Sequence, residues 1–177
     1  MVLGAGGGLA LDPGPIPAYR HGMTPTTATS HAPRLDLGEE LPAAYAAIVR
    51  LDQAASGQID AALKALVELR VSQINGCAFC LDMHARALRE LGESQQRLDM
   101  LAAWREVSLF DERERAALEF AESVTRLEPG GVPDDVWDAA AAAFPGQQMA
   151  GLLAAVIVIN AWNRVAVPSR MAVPEIA

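Results

Sequence analysis

The sequence predicts an all-α domain, and three observations support this fold class. From Leu41 onward, apolar residues recur at intervals of three and four positions, which places them on one face of a helix. Alanine, a strong helix former, is abundant over the same region. No segment shows sustained alternation of apolar and polar residues between turn signals. We therefore expect a compact domain of about six to eight helices.

Proline, glycine and capping residues divide the first part of this region. Pro42 suits the first turn of a helix that ends near Gly57. Asp60 is a candidate N-cap for a second helix, and Gly76 is a candidate end for it. A third helix is expected to begin at Cys77.

The same signals define the later helices. The third helix is expected to stop at Gly92, and Ser94 is a candidate N-cap for a short helix that follows. Asp111 and Glu114 have the spacing of a capping box at the start of the next helix. Two further helices, bounded by proline and glycine, are expected at about 133–144 and 147–165.

Residues 1–33 differ from the rest of the chain in composition. They are rich in Gly, Pro, Thr and Ser and show no helical or strand periodicity. We expect a flexible N-terminal extension at 1–33 and one helical domain at 34–177.

Charge and hydropathy exclude several kinds of partner. The formal net charge of −8 argues against nucleic acid and anionic membrane surfaces, which repel an acidic protein. The first residues lack the basic segment of a secretory signal. The longest apolar run, Ala150 to Ile159, is about half of the roughly 20 residues that cross a bilayer, so we predict a buried core helix there. These observations predict a cytoplasmic protein without nucleic-acid or membrane partners.

The strongest chemical signal is a CxxC motif. Cys77 and Cys80, the two cysteines of the chain, are three positions apart, and His84 follows four positions later. On a helix these side chains share one face, so the thiols could form a disulfide and the imidazole could serve as a base. Unpaired amides and the helix dipole at a helix N-terminus lower thiol pKa values. Redox chemistry is the leading hypothesis.

A zinc site is an alternative use of the same side chains. Cys77, Cys80 and His84 could supply three ligands, but a closed structural site needs a fourth, and there is no second CxxC. The other histidines, His21 and His31, lie in the extension. We rank zinc below thiol chemistry and expect no metal or cofactor beyond an external thiol reductant.

Three stretches carry a family resemblance. Residues 66–84, LVELRVSQINGCAFCLDMH, resemble the core motif of the alkylhydroperoxidase D (AhpD)-like group within the carboxymuconolactone decarboxylase family. Residues 104–125, which include FDERERAAL, resemble the helix that usually follows it, and 159–164, INAWNR, resemble the C-terminal signature. The resemblance covers about Pro33 to Pro168.

The resemblance implies a function and an assembly. It implies a compact helical subunit in homotrimers or homohexamers, and a thiol-dependent peroxidase that reduces hydroperoxides. Carried onto this sequence, Cys80 attacks the peroxide and becomes a sulfenic acid, Cys77 resolves it as a disulfide, and His84 helps to deprotonate the attacking thiol. A reductant protein or small dithiol then reduces the disulfide.

One position departs from the family pattern. Members usually carry a glutamate twelve positions before the first cysteine, and this position is Ala65 here. Glu68 lies nearly one turn further along the predicted helix, rotated by about 60° around its axis, and is our candidate for the outer member of the proton relay. Phe79 occupies a position that is histidine in some members.

Two other functional classes remain open. A non-catalytic redox sensor or thiol-disulfide oxidoreductase would form the disulfide without peroxide turnover, and the missing glutamate at Ala65 favours this alternative. The family name suggests decarboxylation, but such enzymes generally lack the cysteine pair, so we rank it lower.

Overall fold

The computed structural model describes residues 32–174, and within them the protein is helical with no strand. The predicted all-α fold class is confirmed. The extension predicted at 1–33, including His21 and His31, lies almost entirely outside the described residues, as do 175–177. The α-helices are α1 (Leu37–Glu40), α2 (Pro42–Ala55), α3 (Ala61–Asn75), α4 (Ala78–Glu90), α5 (Gln95–Met100), α6 (Glu112–Arg126), α7 (Asp134–Ala143) and α8 (Gln147–Ser169), with a 3-10 helix at Leu101–Glu106.

The predicted caps form as the residue types require. The Asp60 carboxylate accepts hydrogen bonds from the amides of Ala62 and Leu63 at the start of α3. Asp111 and Glu114 form a reciprocal capping box at the start of α6. These caps satisfy amides that have no partner within the helix, and so fix where α3 and α6 begin.

The last helix is longer than the sequence predicts. It continues past Val165 to Ser169 and includes Pro168. Proline lacks an amide hydrogen, but Pro168 lies in the final turn, where only one backbone hydrogen bond is lost. The helix then ends at Arg170, which has a left-handed backbone, and the amide of Met171 donates to the Ala166 carbonyl over 3.0 Å.

Helix α3 lies between two hydrophobic clusters. Leu63, Val67 and Val71 face the larger cluster, which contains residues from α6, α7 and α8. Leu66 and Leu69 face the smaller one, which contains residues from α4, α5, the 3-10 helix and α6. Because both faces are covered by protein, α3 is the central helix and its remaining polar side chains must find partners inside the fold.

Helix α8 packs along α2, α3, α4 and α6. Among the described residues it is the one helix with a length and composition that could cross a membrane. Ten of its residues are buried within the subunit, among them Leu152, Val156 and Ile159. Its packing is that of the core helix predicted from the sequence.

Candidate functional site

The CxxC motif lies at the junction of α3 and α4. Gly76 ends α3 with a positive φ of 66°, a conformation that glycine adopts without steric cost, and the chain then turns directly into α4. Cys77 is the N-cap of α4, and its sulfur accepts a hydrogen bond from the Cys80 amide at 3.4 Å. The Sγ atoms of Cys77 and Cys80 are 2.6 Å apart, and both cysteines are free and buried. The junction thus brings the two thiols together.

The two thiols share a negative charge unequally. A hydrogen bond from the Cys80 thiol, aided by backbone amides of α4 and opposed by burial, lowers the pKa of Cys77 to about 6. The same hydrogen bond and burial raise the pKa of Cys80. At neutral pH the pair therefore carries one negative charge, held mainly on Cys77, and one proton, held mainly on Cys80.

His84 and Glu68 form a second pair beside the thiols. The Nδ1 atom of His84 is 3.4 Å from Oε2 of Glu68, and both side chains are buried. Burial, together with the charge of Lys64, lowers the pKa of His84 to about 4, so the imidazole is neutral at physiological pH. Its Nε2 atom is buried and has no hydrogen-bond partner. A neutral imidazole with a free nitrogen can accept a proton.

Glu68 is held near the midpoint of its titration. Burial raises the pKa of its carboxyl group to about 7, although the charge of Lys64 opposes the rise. The Lys64 ammonium lies 2.5 Å from Oε1 of Glu68. Glu68 therefore contacts both Lys64 and His84. A carboxyl group with this pKa can take up and release a proton near neutral pH.

Lys64 connects Glu68 to a carboxylate of α2 and, through it, to a tryptophan of α8. Its ammonium also lies 3.0 Å from Oδ1 of Asp52, whose Oδ2 accepts a hydrogen bond from the Trp162 indole at 3.4 Å. Burial alone would lower the pKa of Lys64, but its two carboxylate partners raise it, so the group stays charged. Sequence reasoning missed Asp52, Lys64 and Trp162 as parts of this site.

These groups line one cavity of about 260 Å³. Cys80, His84 and Glu68 lie in its wall together with Lys64 and Asp52. The remaining wall is largely apolar and aromatic, formed by Tyr45, Phe79, Met83, Trp162, Ala166 and Met171. Cys77 is absent from this lining and instead borders a neighbouring cavity of about 380 Å³ near the end of α8. The cavity with Cys80 can hold a small molecule against a thiol and a base.

A periodic signal in α3 could have revealed more of the site. Lys64, Glu68, Ser72 and Asn75 recur at intervals of four and three, so they form a polar stripe along a helix whose apolar residues between Leu63 and Val71 are buried. Ala65 is not on this stripe: it packs in the smaller hydrophobic cluster, against α4, α5 and the 3-10 helix. The carboxylate that contacts His84 therefore comes from position 68.

The comparisons with known proteins agree with this fold. A family model described as the carboxymuconolactone decarboxylase family matches residues 42–123. A solved structure from Agrobacterium tumefaciens, a protein of unknown function proposed to be the antioxidant defence protein AhpD, is 35% identical, with a TM-score of 0.78. The match covers 82% of this chain and all of that one. The chain belongs to the carboxymuconolactone decarboxylase family and is AhpD-like.

Two more relatives of this AhpD-like protein extend the comparison. The uncharacterized protein YdfG of Bacillus subtilis is 38% identical over 109 residues, which is 62% of this chain and 74% of YdfG. An uncharacterized peroxidase-related protein from Ralstonia eutropha, with an AhpD core, is 20% identical with a TM-score of 0.67, covering 78% of this chain and 74% of that one. The likeness to the Ralstonia protein shows a shared fold.

Among residues 32–174, no group of three or more His, Cys, Asp or Glu side chains is arranged to hold a metal ion. The zinc alternative of the sequence analysis drew on Cys77, Cys80 and His84 and left the fourth ligand open to His21, His31, a carboxylate or a water. Those two histidines lie outside the described residues.

Proposed function

We propose that this AhpD-like protein is a thiol-dependent peroxidase that reduces hydroperoxides through a dithiol/disulfide cycle of Cys77 and Cys80. The observation that carries the proposal is the common cavity of Cys80, His84 and Glu68, in which a thiol in contact with a second thiol lies beside a neutral imidazole and a carboxyl group. The family and the likeness to the Agrobacterium protein support the same chemistry.

In the proposed cycle, Cys80 attacks and Cys77 resolves. The Cys80 thiolate attacks the terminal oxygen of the hydroperoxide, the O–O bond breaks, and the alcohol leaves after protonation. Cys80 is then a sulfenic acid. The Cys77 thiolate attacks its sulfur, the S–O bond breaks, the hydroxide leaves as water after taking a proton from solvent, and the disulfide forms. A low pKa suits Cys77 for this second step, because it is already ionised at neutral pH.

The proton of Cys80 moves through His84 and Glu68 in this proposal. When Glu68 is ionised, it accepts a hydrogen bond from Nδ1 of His84, which leaves Nε2 free to take the Cys80 proton, directly or through a water. The Nδ1 proton passes to Glu68 at the same time. The proton now on Nε2 is then donated to the departing alkoxide as Glu68 returns the Nδ1 proton in the same step, so the imidazole stays neutral throughout.

The cavity wall and the reaction define the partners that we propose. The aromatic and methionine side chains of the wall favour an organic hydroperoxide with an apolar substituent. Two electrons must come from an external thiol, either a reductant protein or a small dithiol, and no cofactor is needed. We further propose a cytoplasmic homotrimer or homohexamer, without nucleic-acid or membrane partners, on the grounds of the sequence analysis.

Mass spectrometry of the reduced protein before and after one equivalent of cumene hydroperoxide tests the proposal. We expect loss of two hydrogens and a Cys77–Cys80 cross-link, followed by continued peroxide consumption when a dithiol is added. A protein that stays reduced would contradict the proposal. A disulfide that forms without turnover, with either a small dithiol or a thioredoxin-type reductant, would indicate a redox sensor instead.

A further inference from the structure

Lys64 is the single lysine among the 14 lysine and arginine residues of the chain. Its side chain is only 15% exposed and lies in the wall of the cavity that also contains Cys80 and His84. Elsewhere in residues 32–174, the ion pairs of carboxylates with strong cations are made by arginine. The cavity therefore holds a compact ammonium where the rest of the chain uses the planar guanidinium.

Lys64 and His84 contact different oxygens of the same carboxyl group. The ammonium lies 2.5 Å from Oε1 of Glu68, and Nδ1 of His84 lies 3.4 Å from Oε2. A second carboxylate, Asp52, lies 3.0 Å from the ammonium, so two of its three hydrogens have acceptors, on α2 and on α3. These contacts give the ammonium a defined position, in which it engages one oxygen of Glu68 while the other faces the imidazole.

Arginine binds a carboxylate differently in this protein. The terminal nitrogens Nη2 and Nη1 of Arg97 lie 2.5 Å from Oε1 and 3.3 Å from Oε2 of Glu114, so the guanidinium engages both oxygens. In place of Lys64, such a fork would compete with His84 for Oε2 of Glu68.

We infer that Lys64 is the positioning residue of the proton relay, because it binds Oε1 of Glu68 and so directs Oε2 toward Nδ1 of His84. This contact keeps the imidazole proton on Nδ1. It leaves Nε2, which is buried and has no hydrogen-bond partner, able to accept a proton. The inference rests on the proposed function, since it assigns a residue to the relay of that reaction.

Lys64 acts on Glu68 through its charge as well as through its position. The titratable side chains that share the cavity wall with them are Tyr45 and Asp52 of α2 and Cys80 and His84 of α4, while α8 contributes an uncharged indole. Lys64 is thus the one strong cation in this wall, and its charge favours the ionised form of Glu68 against the effect of burial. Lys64→Met removes both charge and position, whereas Lys64→Arg keeps the charge and changes the geometry, so the two variants separate these effects.

The test determines which nitrogen of His84 carries the proton, by NMR of reduced, ¹⁵N-histidine-labelled protein at pH 8 without peroxide. The resonances missing from His84→Gln identify His84. We expect the proton on Nδ1 in the wild type. Lys64→Met should move it to Nε2, because a protonated Glu68 then donates to Nδ1. Lys64→Arg should lose the preference for Nδ1 although its charge is retained.

Peroxide reduction measures the consequence for the reaction. We expect kcat/KM for cumene hydroperoxide to fall by about 10² in Lys64→Met and by about tenfold or more in Lys64→Arg. Arg86→Lys is the control, because Arg86 pairs with Asp82 four positions away on α4 and outside the cavity wall. This exchange of one cation for the other should leave both the His84 tautomer and kcat/KM unchanged.

Full activity and an unchanged tautomer in Lys64→Arg would overturn the inference, because the charge of Lys64 would then suffice. If the Lys64 variants do not fold, the wild type decides: a His84 proton on Nε2 at pH 8 would contradict the inference. In ¹⁵N-lysine-labelled wild type, the single side-chain ammonium resonance should shift with a midpoint near pH 7 as Glu68 ionises, and a resonance that does not move would overturn it. Both NMR measurements are made without peroxide, so a failure of peroxidase activity remains a separate result.

Discussion

Glu68 is the residue whose environment most influences the proposed chemistry. The interior of the fold disfavours its ionised form, and the ammonium of Lys64 partly offsets this effect. The result is a carboxyl group that is about half ionised at neutral pH, next to an imidazole that is fully neutral. Two groups with shifted pKa values in one cavity are typical of acid–base sites.

We predict that peroxide reduction rises as the pH passes through about 7, because Glu68 must be ionised to accept the Nδ1 proton of His84. Glu68→Gln cannot accept that proton. It should lower kcat/KM by about 10² or more and remove this limb of the pH profile. Glu90→Gln, at an exposed position of α4, is the control and should leave the profile intact. If the activity of Glu68→Gln still rose with pH near 7, the titrating group would be a different residue.

As the pH rises, ionisation of Glu68 should lower the free energy of unfolding, although it should speed peroxide reduction. The pKa of Glu68 is raised on folding, from 4.5 to about 7, so its contribution to stability is complete below pH 4.5 and is lost as the pH rises through 7. This shift corresponds to a loss of about 3 kcal/mol at pH 8. The difference in free energy of unfolding between wild type and Glu68→Gln, from urea titrations at pH 4 to 8, should therefore move in favour of the variant as the pH rises. A difference that is independent of pH would contradict the shift.

The two cysteines differ in position as well as in pKa. We therefore predict that replacing each one by serine has a different effect on the reaction with hydroperoxide. Cys80 lines the cavity with His84 and Glu68, whereas Cys77 does not. Cys80→Ser should abolish the reaction with hydroperoxide. Cys77→Ser should still react once and accumulate a sulfenic acid, which dimedone labelling and mass spectrometry detect. Because Cys77 is the more acidic thiol, the reverse result is chemically accessible, and it would exchange the two roles.

At the scale of elements, the junction between α3 and α4 holds the dithiol. Gly76 has a left-handed backbone that lets α3 end and α4 begin with only Gly76 itself and Cys77 between them. This places the Cys77 sulfur at the N-terminus of α4, where an amide donates to it. The tight junction therefore determines both the contact between the sulfurs and the low pKa of Cys77.

We predict that Gly76→Ala disturbs the thiols and that Gly92→Ala does not. Both glycines have positive φ and no heavy atom within 4 Å of an added Cβ, so each change should destabilise the fold through backbone strain alone, by roughly 1 kcal/mol. Gly92 follows the far end of α4. Thermal unfolding should show similar losses, whereas only Gly76→Ala should raise the pKa for thiol alkylation. Equal alkylation profiles would show that the junction tolerates a shifted backbone.

At the scale of the whole molecule, a buried carboxylate ties three elements together. Glu122 of α6 accepts hydrogen bonds from the Trp104 indole at 2.9 Å and from Arg70 of α3 at 2.7 Å. Arg105 and Arg126 complete its partners, at 3.0 and 2.6 Å. Burial alone would raise the pKa of Glu122, but these hydrogen bonds lower it to about 2. The ion cluster lies on the side of α3 opposite the polar stripe and stabilises the scaffold of the site.

We predict that Glu122→Gln destabilises the protein by about 3–5 kcal/mol at pH 7, because it leaves the largely buried Arg70 without its countercharge and removes that partner from Arg105 and Arg126. Glu119→Gln, on the same helix and paired with the same Arg105 at an exposed position, should cost less than 1 kcal/mol. The depressed pKa of Glu122 adds stability that is present above pH 4.5 and is lost as the pH falls toward 2. Urea unfolding at pH 7 and pH 3 measures both effects, and similar values for the two variants would contradict the prediction.

Much of the architecture could be predicted from local sequence. Asp60, Gly76, Ser94 and Asp111 carry their capping function in their own side chains or backbone freedom, so the helix boundaries near them were predictable. The short helix α1 and the 3-10 helix at 101–106 were not predicted, because segments of four to six residues have no clear period. The presence of Cys80 and His84 in one cavity wall agrees with their spacing of four on one helix.

The sequence by itself determined the helical fold class, the contact between Cys77 and Cys80, and the family to which the chain belongs. Only the tertiary structure decided that Glu68 contacts His84, that Asp52 joins Lys64 to Trp162, and that Asn163 bonds to Asn75 and Ser72. The physical reason is distance along the chain. Local hydrogen bonds fix where helices begin and end, whereas contacts between residues far apart, and the pKa values that burial imposes, exist only after the helices have packed.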